Sequence, residues 1–578
     1  MDGITALVDF ADASGGPRVR HAFGQPLRTL IAAAPGELRA VLDAVQAEAA
    51  QGHWCVGYLP YEAAPAFDAA LTAHPVQGPW AWFAVYDTVA AWPEPSGAEA
   101  RVDWHGFVDR SAFDQAMAVL QQAITEGELY QANLTAQMLG RFSGEPRALF
   151  AALQRAQPGG YAAYLDTGGM QILSVSPELF FDWQGGRILA RPMKGTARRG
   201  ATPEEDDAQA AALRASPKER AENVMVVDLL RNDLSRIAQT GSVYVPRLFH
   251  TEALPTVWQM TSDVSARTAC GCTLADVFAA LFPCGSVTGA PKVRAMQKIR
   301  GLEPVARGVY CGAIGVVRPG GGATFNVPIR TVTLQGDVAR CGIGSGITAD
   351  ASVDGEWQEW VAKQAFVRRA SAPFALLETL ALVDGRLRHA EEHLARLAAA
   401  AAHFGTPWHA DHVRHTLHTV LRPQGAWRVR LLLDAEGRAT AEAYALEASP
   451  ERVRLQLADR PLAEAHGEFV RFKTTRRAHY DAFTPTRPGV FDTLLWNAAG
   501  EITECTRGNI ALRIDGRWVT PPLACGLLAG IGRAVALREG RLVEAVVPVD
   551  ELPRVEALAF VNSLRGWLAA EMESTTSA

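Results

Sequence analysis

The chain has 578 residues, a formal net charge of −6, 48% hydrophobic residues and 20% charged residues. This length exceeds what one hydrophobic core supports, so two or more domains are predicted, and the composition is typical of soluble globular protein. The negative charge balance argues against a general role in binding nucleic acid or membrane surfaces.

The sequence also predicts a cytoplasmic location. No apolar run reaches the roughly 20 residues that a membrane-spanning helix needs, and the N-terminal segment MDGITALVDF lacks the basic region and apolar core of a secretory signal. The eight cysteines are scattered, and only Cys270 and Cys272 lie close together. Because no set of cysteines and histidines has zinc spacing, we interpret the cysteines as reduced thiols.

The first segment with a clear pattern is a helix. Residues 1–100 contain no sharp chemical motif, whereas four apolar residues recur at helical spacing between Ser111 and Ile124. Ser111 is the predicted N-cap, and Gly127 follows the end of the helix. The four apolar residues are Phe113, Met117, Leu120 and Ile124.

Three polar side chains follow in or beside strand-like segments. Gln131 lies in GELYQANLT, Glu178 in SPELFF and Lys194 in RPMKGTARRG. Arginines flank Lys194, and nearby positive charge or burial lowers a lysine's pKa, which would make this side chain a nucleophile. Taken one at a time, the three residues are also explained as polar groups on half-buried strands or surface turns. The flanking arginines are Arg191, Arg198 and Arg199.

Two Glu-x-x-Glu pairs come next. KERAENVMVVDLLRNDL carries Glu219 and Glu222, and GEWQEWVAK carries Glu356 and Glu359, so each pair shares one helix face. The first helix is apolar nearly all round, which predicts burial. Facing pairs would gather four carboxylates that need a cation, and oxygen ligands favour Mg²⁺. Solvated surface charge is the simpler interpretation of the spacing alone.

The segment PMKGT resembles the PIKGT signature of aminodeoxychorismate synthase component I, the lysine-bearing branch of the chorismate-utilising enzymes. GELYQANLT and FPCGSVTGAPK are similar to other segments of this family, and the resemblance covers residues 101–370, with a weaker match over 1–100. It implies an α+β fold in which helices surround a β-sandwich core. The anthranilate synthase branch has a small residue at the position of Lys194, which therefore carries most of the choice between the two products.

The resemblance implies a role for each polar residue. Lys194 would attack C2 of the chorismate ring while Glu178 protonates the departing C4 hydroxyl, and ammonia would then add at C4 and displace the lysine. The implied Mg²⁺ ligands are Glu222 and Glu359 directly and Glu219 and Glu356 through water.

The family match also implies six substrate contacts. Arg330 would clamp the enolpyruvyl carboxylate. In isochorismate-forming relatives a lysine that activates water stands where this chain has Gln131, and a neutral amide cannot act as that base, so this site should favour an added amine. One departure is Gln259, which replaces a family histidine that orients the ring. The six contacts are Gln131, Thr288, Tyr310, Arg330, Gly344 and Lys363.

A second domain is predicted because Ser371-Ala372-Pro373 breaks the preceding helix. The predicted domains are therefore 1–370 and 374–578. The second domain should begin as a strand, an Asp384-Gly385 turn, a second strand and an Ala-rich helix that stops at Gly405.

The second domain contains five short motifs whose order resembles the branched-chain aminotransferase and aminodeoxychorismate lyase family, the fold-type IV pyridoxal-phosphate enzymes. Arg476 and Arg477 would favour the neutral amine of the lysine in the second motif. The motifs are HLARL with Arg396, FKTTRRAHYD with Lys473, EITECTRGNI with Glu504, the helix start at Ile531 and Gly532, and NSLRG with Arg565.

This second resemblance implies how pyridoxal phosphate would be held. Lys473 would attach the cofactor, and Glu504 would pair with its pyridinium nitrogen. Arg396 and the main-chain N–H groups of Ile531-Gly532 would hold the phosphate. Arg565 would contact a substrate carboxylate.

Together the resemblances imply a bifunctional enzyme of folate biosynthesis that makes para-aminobenzoate from chorismate with Mg²⁺ and pyridoxal phosphate. No Gly-x-Cys-x-Gly glutaminase segment is visible, so ammonia would come free or from a separate glutamine amidotransferase subunit. A homodimer through the second domain is a further expectation. The alternatives are an anthranilate synthase in the first domain, a D-amino-acid or branched-chain transaminase in the second, or a second domain that binds no cofactor and serves in docking.

Overall fold

The computed structural model describes residues 3–13, 15–94, 98–198, 203–253 and 257–573. The chain divides into two compact units, Met1–Pro373 and Phe374–Ala578. Within the described ranges, no helix has both the length and the apolar character needed to cross a membrane. Arg199, one of the arginines predicted to flank Lys194, lies outside the described residues.

Antiparallel strands form the framework of the first unit, where runs of β-branched and aromatic residues favour extended backbone. These strands are β1 (Ala6–Phe10), β2 (Val19–Phe23), β3 (Arg28–Ala32), β4 (Trp54–Leu59), β5 (Ala81–Tyr86), β6 (Ala100–Gly106), β7 (Gln131–Gly144), β8 (Tyr161–Asp166), β9 (Gln171–Ser176), β10 (Leu179–Gln184), β11 (Arg187–Arg191), β12 (Met193–Arg198), β13 (Tyr244–Ala253), β14 (Val257–Arg267), β15 (Gly289–Ala290), β16 (Ala313–Val317), β17 (Ala323–Asn326), β18 (Thr331–Gln335) and β19 (Val338–Ile347).

The strands form two sheets that face each other. One sheet has the order β15-β7-β19-β18-β9-β8-β1-β2, and β6 also pairs with β7. The other has the order β12-β14-β11-β10-β17-β16-β4-β5-β3, and β13 also pairs with β14. Val8 from the first sheet packs in one cluster with Val56 and Ile314 from the second, and all three are fully buried. This confirms the predicted sandwich core.

Helices cover both outer faces of the sandwich. Buried residues of α1, α5 and α6 below pack against one sheet, and those of α2, α3, α8 and α9 pack against the other. The helices are α1 (Leu38–Ala50), α2 (Arg110–Thr125), α3 (Pro146–Ala156), α4 (Pro203–Ala215), α5 (Pro217–Ser235), α6 (Leu274–Leu281), α7 (Lys292–Leu302), α8 (Val353–Lys363) and α9 (Ala365–Ala370).

Two helix predictions need correction. The N-cap of α2 is Asp109, whose carboxylate accepts a hydrogen bond of 2.8 Å from the N–H of Ala112, so Ser111 already lies inside the helix. Helix α5 is not buried all round, because Val224 on its outer side is 37% exposed. Asp233 of α5 pairs with Lys292 at 2.7 Å, a partner 59 residues away that no local pattern indicates.

The second unit consists of two sheets with helices, and it begins with the predicted hairpin and the predicted helix that stops at Gly405, whose φ is +68°. One sheet runs β21-β20-β22-β23 and the other β26-β25-β24-β31-β30-β27-β28-β29. The elements are β20 (Leu376–Val383), β21 (Arg386–Leu387), α10 (Ala390–Phe404), α11 (Ala410–Thr419), β22 (Ala426–Leu433), β23 (Ala439–Ala445), β24 (Arg452–Leu457), α12 (Glu468–Arg471), α13 (Ala478–Asp481), β25 (Asp492–Trp496), β26 (Ile502–Cys505), β27 (Asn509–Ile514), β28 (Arg517–Thr520), α14 (Ile531–Arg538), β29 (Val543–Glu544), β30 (Ala557–Asn562) and β31 (Gly566–Met572).

Candidate active sites

In the first unit, Lys194 and Gln131 meet over the backbone of Gly346. A methyl group on Gly346 would lie 2.6 Å from Lys194 Nζ and 2.6 Å from Gln131 Nε2. Gln131 is 2% exposed, and its Nε2 has no hydrogen-bond partner among the described residues. A buried amide that lacks a partner costs free energy unless a ligand or water satisfies it. Gln131 on β7 and Lys194 on β12 therefore converge on the backbone of β19, at a position where glycine leaves room for both side chains.

Glu178 is the buried acid of this site. It lies between β9 and β10, is 3% exposed, and its Oε1 has no hydrogen-bond partner among the described residues. Burial raises the pKa of Glu178 to about 7, although a hydrogen bond from Ser286 and the charge of Lys194 act in the opposite direction. A carboxyl with a pKa near 7 can hold a proton at neutral pH and deliver it to a leaving group.

The two glutamate pairs lie near each other on α5 and α8. Burial raises the pKa of Glu219, Glu222 and Glu356, and nearby glutamates shift each of them in the same direction. Glu359 differs, because the ammonium of Lys363 at 2.7 Å lowers its pKa against the effect of burial. Mutual repulsion of this kind is relieved by a bound cation.

The glutamates do not form a finished ligand shell. In the part of the chain that the structure describes, no three carboxylate, histidine or cysteine side chains are arranged to hold a metal ion. Glu356 accepts a hydrogen bond from the Ser345 hydroxyl, and Lys363 Nζ donates to the carbonyl of Gly344 at 2.8 Å while it pairs with Glu359. The donor chemistry, all carboxylate oxygen, fits a hard divalent cation such as Mg²⁺.

Arg330 presents an uncompensated guanidinium. Its φ is +51°, in the left-handed region that non-glycine residues rarely occupy, and its Cζ lies 5.8 Å from the ring centre of Phe366. None of the described carboxylates forms an ion pair with it, and burial lowers the pKa of Arg330 to about 10. A half-buried guanidinium in this state is suited to an anionic ligand.

Two predicted substrate contacts are already engaged within the protein. Thr288 is fully buried, and its hydroxyl donates to the carbonyl of Cys284 at 3.1 Å, so a contact through this hydroxyl would require that bond to break. Tyr310 is 7% exposed, and its ring packs so closely on Gly342 that a methyl group there would lie 2.3 Å from Cδ1. Arg191, expected beside Lys194, pairs instead with Asp263 at 2.6 Å.

The second unit contains a cavity of about 590 Å³ that is lined in part by Lys473. Lys473 is the only lysine between residues 374 and 578. Burial lowers the pKa of Lys473 to about 8, and the positive charges of Arg396 and Arg477 act in the same direction. An amine that is readily deprotonated near neutral pH is what attachment to an aldehyde cofactor requires.

Glu504 lies near Lys473 and is 3% exposed. Its Oε1 accepts hydrogen bonds from the Tyr480 hydroxyl at 2.6 Å and from the N–H of Leu528 at 3.1 Å, and its Oε2 accepts one from Asn509 at 3.2 Å. Burial raises the pKa of Glu504 to about 7. A pyridinium N–H would stabilise its charged form, so this residue fits the role predicted for it.

The predicted phosphate site combines Arg396 with the start of α14. Arg396 is fixed by two hydrogen bonds to the carboxylate of Glu378, at 2.8 and 2.7 Å, and it donates to the carbonyl of Ala529 at 2.9 Å. Ile531 and Gly532 follow at the N-terminus of α14, where main-chain N–H groups favour an anion. A methyl group on Gly532 would lie 2.6 Å from the main chain of Asn562, so this position has no room for a side chain.

Comparison with known families agrees with this division of chemistry. Residues 91–369 match the family described as chorismate binding enzyme, and residues 375–571 match the family described as amino-transferase class IV. The chain therefore joins a chorismate-binding domain to a class IV aminotransferase domain. The α+β class and the predicted succession of the two folds are thereby confirmed.

Individual relatives define the likeness of the chorismate-binding domain further. The chain is 40% identical over 256 residues, 44% of its length, to "Aminodeoxychorismate synthase component 1" of Klebsiella aerogenes, and 36% identical over 268 residues, 46% of its length, to "Anthranilate synthase component 1" of Aquifex aeolicus. It spans 57% and 54% of those two proteins. The crystal structure of anthranilate synthase component I from Streptococcus pneumoniae superposes with a TM-score of 0.51 and 24% identity over 63% of this chain and 92% of that chain, which shows the shared fold.

Gln259 of the chorismate-binding domain has a role that sequence reasoning missed. Its Nε2 donates to the carbonyl of Gly195 at 2.8 Å, and its Oε1 accepts from the Thr196 hydroxyl at 3.1 Å. Gln259 therefore fixes the two residues that follow Lys194. The only available signal was its place where relatives have histidine, and that signal did not reveal the contact.

In the class IV domain the missed residue is Glu378 of β20. It is 1% exposed, bonds to Arg396 as described, and lies 2.6 Å from Nδ1 of His393. Burial alone would raise the pKa of Glu378, but the charge of Arg396 and the hydrogen bonds from His393 and Arg396 lower it to about 2. The helical spacing of His393 and Arg396 shows that they share a face, but nothing local indicates a carboxylate from a distant strand.

Proposed function

We propose that this chain makes para-aminobenzoate from chorismate and ammonia in two consecutive reactions. The first unit would replace the C4 hydroxyl of chorismate by an amino group, and the second would remove pyruvate from the product, 4-amino-4-deoxychorismate. The observation that carries the proposal is the convergence of Lys194 Nζ with the unpartnered amide of Gln131 over Gly346, near the buried acid Glu178. The family matches of both units support it.

In the first reaction Nζ of Lys194 forms a C–N bond at C2 of the ring. Both ring double bonds shift, the C4–O bond breaks, and Glu178 gives its proton to the hydroxyl, which leaves as water. Ammonia then forms a C–N bond at C4, both double bonds return to their first positions, and Lys194 leaves as an amine. Gln131 cannot activate water as a base, which favours the amine over the hydroxyl product.

Binding of the substrate would use the charged groups around this centre. Arg330 would clamp the enolpyruvyl carboxylate. This carboxylate would be the negatively charged partner that the guanidinium does not have among the described residues. Glu222 and Glu359 would bind Mg²⁺ directly and Glu219 and Glu356 through water. When bound, the metal ion would supply positive charge for the ring carboxylate of the substrate.

In the second reaction Lys473, Glu504 and the phosphate site formed by Arg396 and Ile531-Gly532 would hold pyridoxal phosphate. When bound, this cofactor supplies an electron sink. Lys473, with a pKa of about 8, is suited to take the proton from C4 of the substrate. Cleavage of the C3–O bond then releases pyruvate and leaves the aromatic ring, so para-aminobenzoate and pyruvate together contain every atom of the substrate.

The ammonia would come from a separate glutamine amidotransferase. The aminodeoxychorismate synthase relatives from Klebsiella aerogenes and Escherichia coli carry the words "component 1" in their names, which supports a second component for them and motivates the same arrangement here. Para-aminobenzoate is a building block of folate, so we place the reaction in folate biosynthesis.

The test is product analysis with two lysine variants. The purified chain would be incubated with chorismate, an ammonium salt, Mg²⁺ and pyridoxal phosphate, and the products would be separated by chromatography. We expect para-aminobenzoate and pyruvate from the wild type, no amination by Lys194→Ala, and accumulation of 4-amino-4-deoxychorismate by Lys473→Ala. Lys298→Ala, which removes a lysine that pairs with Glu128 at 2.9 Å, is the matched control and should retain both reactions.

Two outcomes would contradict the proposal. Formation of anthranilate would assign the first unit to the anthranilate synthase reaction that its Aquifex relative is named for. Failure of borohydride to fix the cofactor on Lys473, checked by peptide mapping, would remove the second reaction. Lys473 is the only lysine of its unit, so the mapping has one possible result for a correctly bound cofactor.

A further inference from the structure

The cavity around Lys473 carries more positive charge than the predicted cofactor contacts require. Arg396 and the start of α14 are the predicted phosphate contacts. The arginines that line the cavity are therefore not needed to hold the cofactor phosphate. The described lining residues include four arginines but one carboxylate. The arginines are Arg428, Arg477, Arg507 and Arg565, and the carboxylate is that of Glu447.

Two of these arginines are anchored at one end of the cavity. Arg477 donates to the carbonyl of Thr506, and Arg507 donates to the carbonyl of Phe491. Both arginines, with Phe491, also line a second cavity of about 330 Å³, so they form a wall that the two cavities share. Arg507 also pairs with the buried carboxylate of Asp492 at 3.4 Å, whereas Arg477 pairs with no carboxylate of the described residues. A guanidinium held by a main-chain carbonyl is oriented and still has N–H groups for a ligand carboxylate.

The other two arginines are attached to the end of β23 and the segment after it. The guanidinium of Arg428 lies 5.0 Å from the ring centre of Tyr444. Arg565 donates to the carbonyl of Glu447 at 3.3 Å and to the hydroxyl of Ser449 at 3.2 Å. Neither arginine forms an ion pair with any carboxylate of the described residues.

We propose that the two pairs bind the two carboxylates of a dianionic substrate, with Arg477 and Arg507 at one carboxylate and Arg428 and Arg565 at the other. The inference rests on the proposed function, because 4-amino-4-deoxychorismate carries a ring carboxylate and an ether-linked enolpyruvyl carboxylate. Guanidinium groups bind carboxylates through paired, charge-assisted hydrogen bonds. A transaminase for aliphatic amino acids would need only one such pair.

The test uses two inert ligands that differ by one carboxylate. 3-(Carboxymethoxy)benzoate has the ring and ether-linked carboxylates, and 3-methoxybenzoate has the same ring and ether with the ring carboxylate alone. Binding would be followed through the visible absorption of the cofactor in the holoenzyme, which reports on the second unit only. We expect the dianion to bind at least about 10-fold more tightly, in line with hydrogen bonds between charged groups.

The variants assign the carboxylates. Arg507→Gln and Arg428→Gln should each weaken the dianion by about 10-fold or more, and the preference for the dianion should fall accordingly. Arg507→Lys should retain part of the preference. Arg452→Gln, which removes an arginine outside the cavity that pairs with Glu571 at 3.4 Å, should change nothing. Cofactor absorption equal to wild type shows that each variant is folded.

Equal affinity of the two ligands for the wild type would overturn the inference, as would variants that lose both ligands equally. These outcomes are independent of turnover. A chain that makes no para-aminobenzoate but prefers the dianion would refute the proposed function and leave the two-carboxylate site standing. A chain that makes para-aminobenzoate without this preference would support the proposed function and refute the two-carboxylate site.

Discussion

Each unit buries a glutamate whose pKa burial raises to about 7, yet Glu178 and Glu504 have unlike surroundings. Glu504 accepts hydrogen bonds on both oxygens from Tyr480, Leu528 and Asn509. Glu178 has one oxygen without any partner among the described residues. Two glutamates with the same pKa therefore differ in whether a carboxyl oxygen is available to a ligand.

The difference shows that the pKa alone does not decide the role of a buried glutamate. The hydrogen bonds that its carboxyl oxygens accept decide whether it can act as a proton donor or serves as a fixed negative charge. A carboxyl held on both oxygens is oriented for one partner and pays a penalty for moving. A carboxyl with a free oxygen can transfer a proton to a group that enters the site. Four substitutions test whether this contrast between Glu178 and Glu504 is real.

The largest effect is expected for Glu178→Gln. Loss of a general acid should lower the turnover of chorismate by roughly 10²–10⁴-fold. In the wild type the acid must be protonated, so the rate should fall as pH rises through about 7, and the residual rate of the variant should lack this dependence. Chorismate consumption with ammonium salt between pH 5.5 and 9 measures both.

Glu62→Gln is the control for that experiment. Burial raises the pKa of Glu62 to about 7 as well, but its oxygens accept from the N–H groups of Arg307 and Gly308, at 2.7 and 2.9 Å. It should change stability and leave the pH profile intact. A profile that moves in Glu62→Gln but not in Glu178→Gln would break the comparison.

The second effect is expected for Glu504→Gln. A neutral amide loses the charge that pairs with a pyridinium nitrogen, and a hydrogen bond to a charged group is worth about 1.5–3 kcal/mol. Pyridoxal phosphate should bind roughly 10- to 100-fold more weakly, as measured by equilibrium titration of its absorption. Unchanged cofactor affinity would show that Glu504 only supports the fold.

Tyr480→Phe should have a smaller effect. The Tyr480 hydroxyl lowers the pKa of Glu504, so its removal raises that pKa further, and bound cofactor should be lost at a higher pH as the solution is acidified. The free energy of unfolding should fall by roughly 1–2 kcal/mol because one buried acceptor loses a donor. Tyr444→Phe, whose hydroxyl bonds to Glu442 on the surface, is the control.

The smallest effect is expected for Ser286→Ala. The Ser286 hydroxyl lowers the pKa of Glu178, so its loss should raise that pKa and move the fall in chorismate turnover to higher pH. The cost in unfolding free energy should be roughly 0.5–1 kcal/mol. Ser265→Ala removes a buried hydroxyl that donates to Ile188 at 2.9 Å, and it should leave the pH profile unchanged. A shift to lower pH would contradict the assignment.

Features that depend on local conformation could be predicted from the sequence. The end of α10 at Gly405 needs a left-handed residue, and glycine is the residue that adopts this conformation at least cost. The hairpin between β16 and β17 likewise requires the positive φ of Gly320 and Gly321. The motifs that carry Lys194 and Lys473 were also recognisable, because each is a short contiguous segment.

Features that depend on distant contacts could not be predicted. Asp109 and Ser111 are both good N-cap residues, and only the path of the chain before α2 decides that Asp109 is the extended one. Thr135 donates to Glu303, 168 residues away, and that carboxylate also pairs with the fully enclosed guanidinium of Arg307 at 2.7 Å. No periodicity in either segment indicates this buried pair.

Gly346 offers a practical route to a molecule with only one of the two proposed reactions. A single methyl group there would collide with both Gln131 and Lys194. Gly346→Ala should therefore displace these two side chains and block the first site by adding one carbon atom. It would leave every charged group of the first unit in the sequence. The second unit of the same polypeptide, supplied with its substrate directly, would then serve as an internal standard for the amount of correctly folded protein.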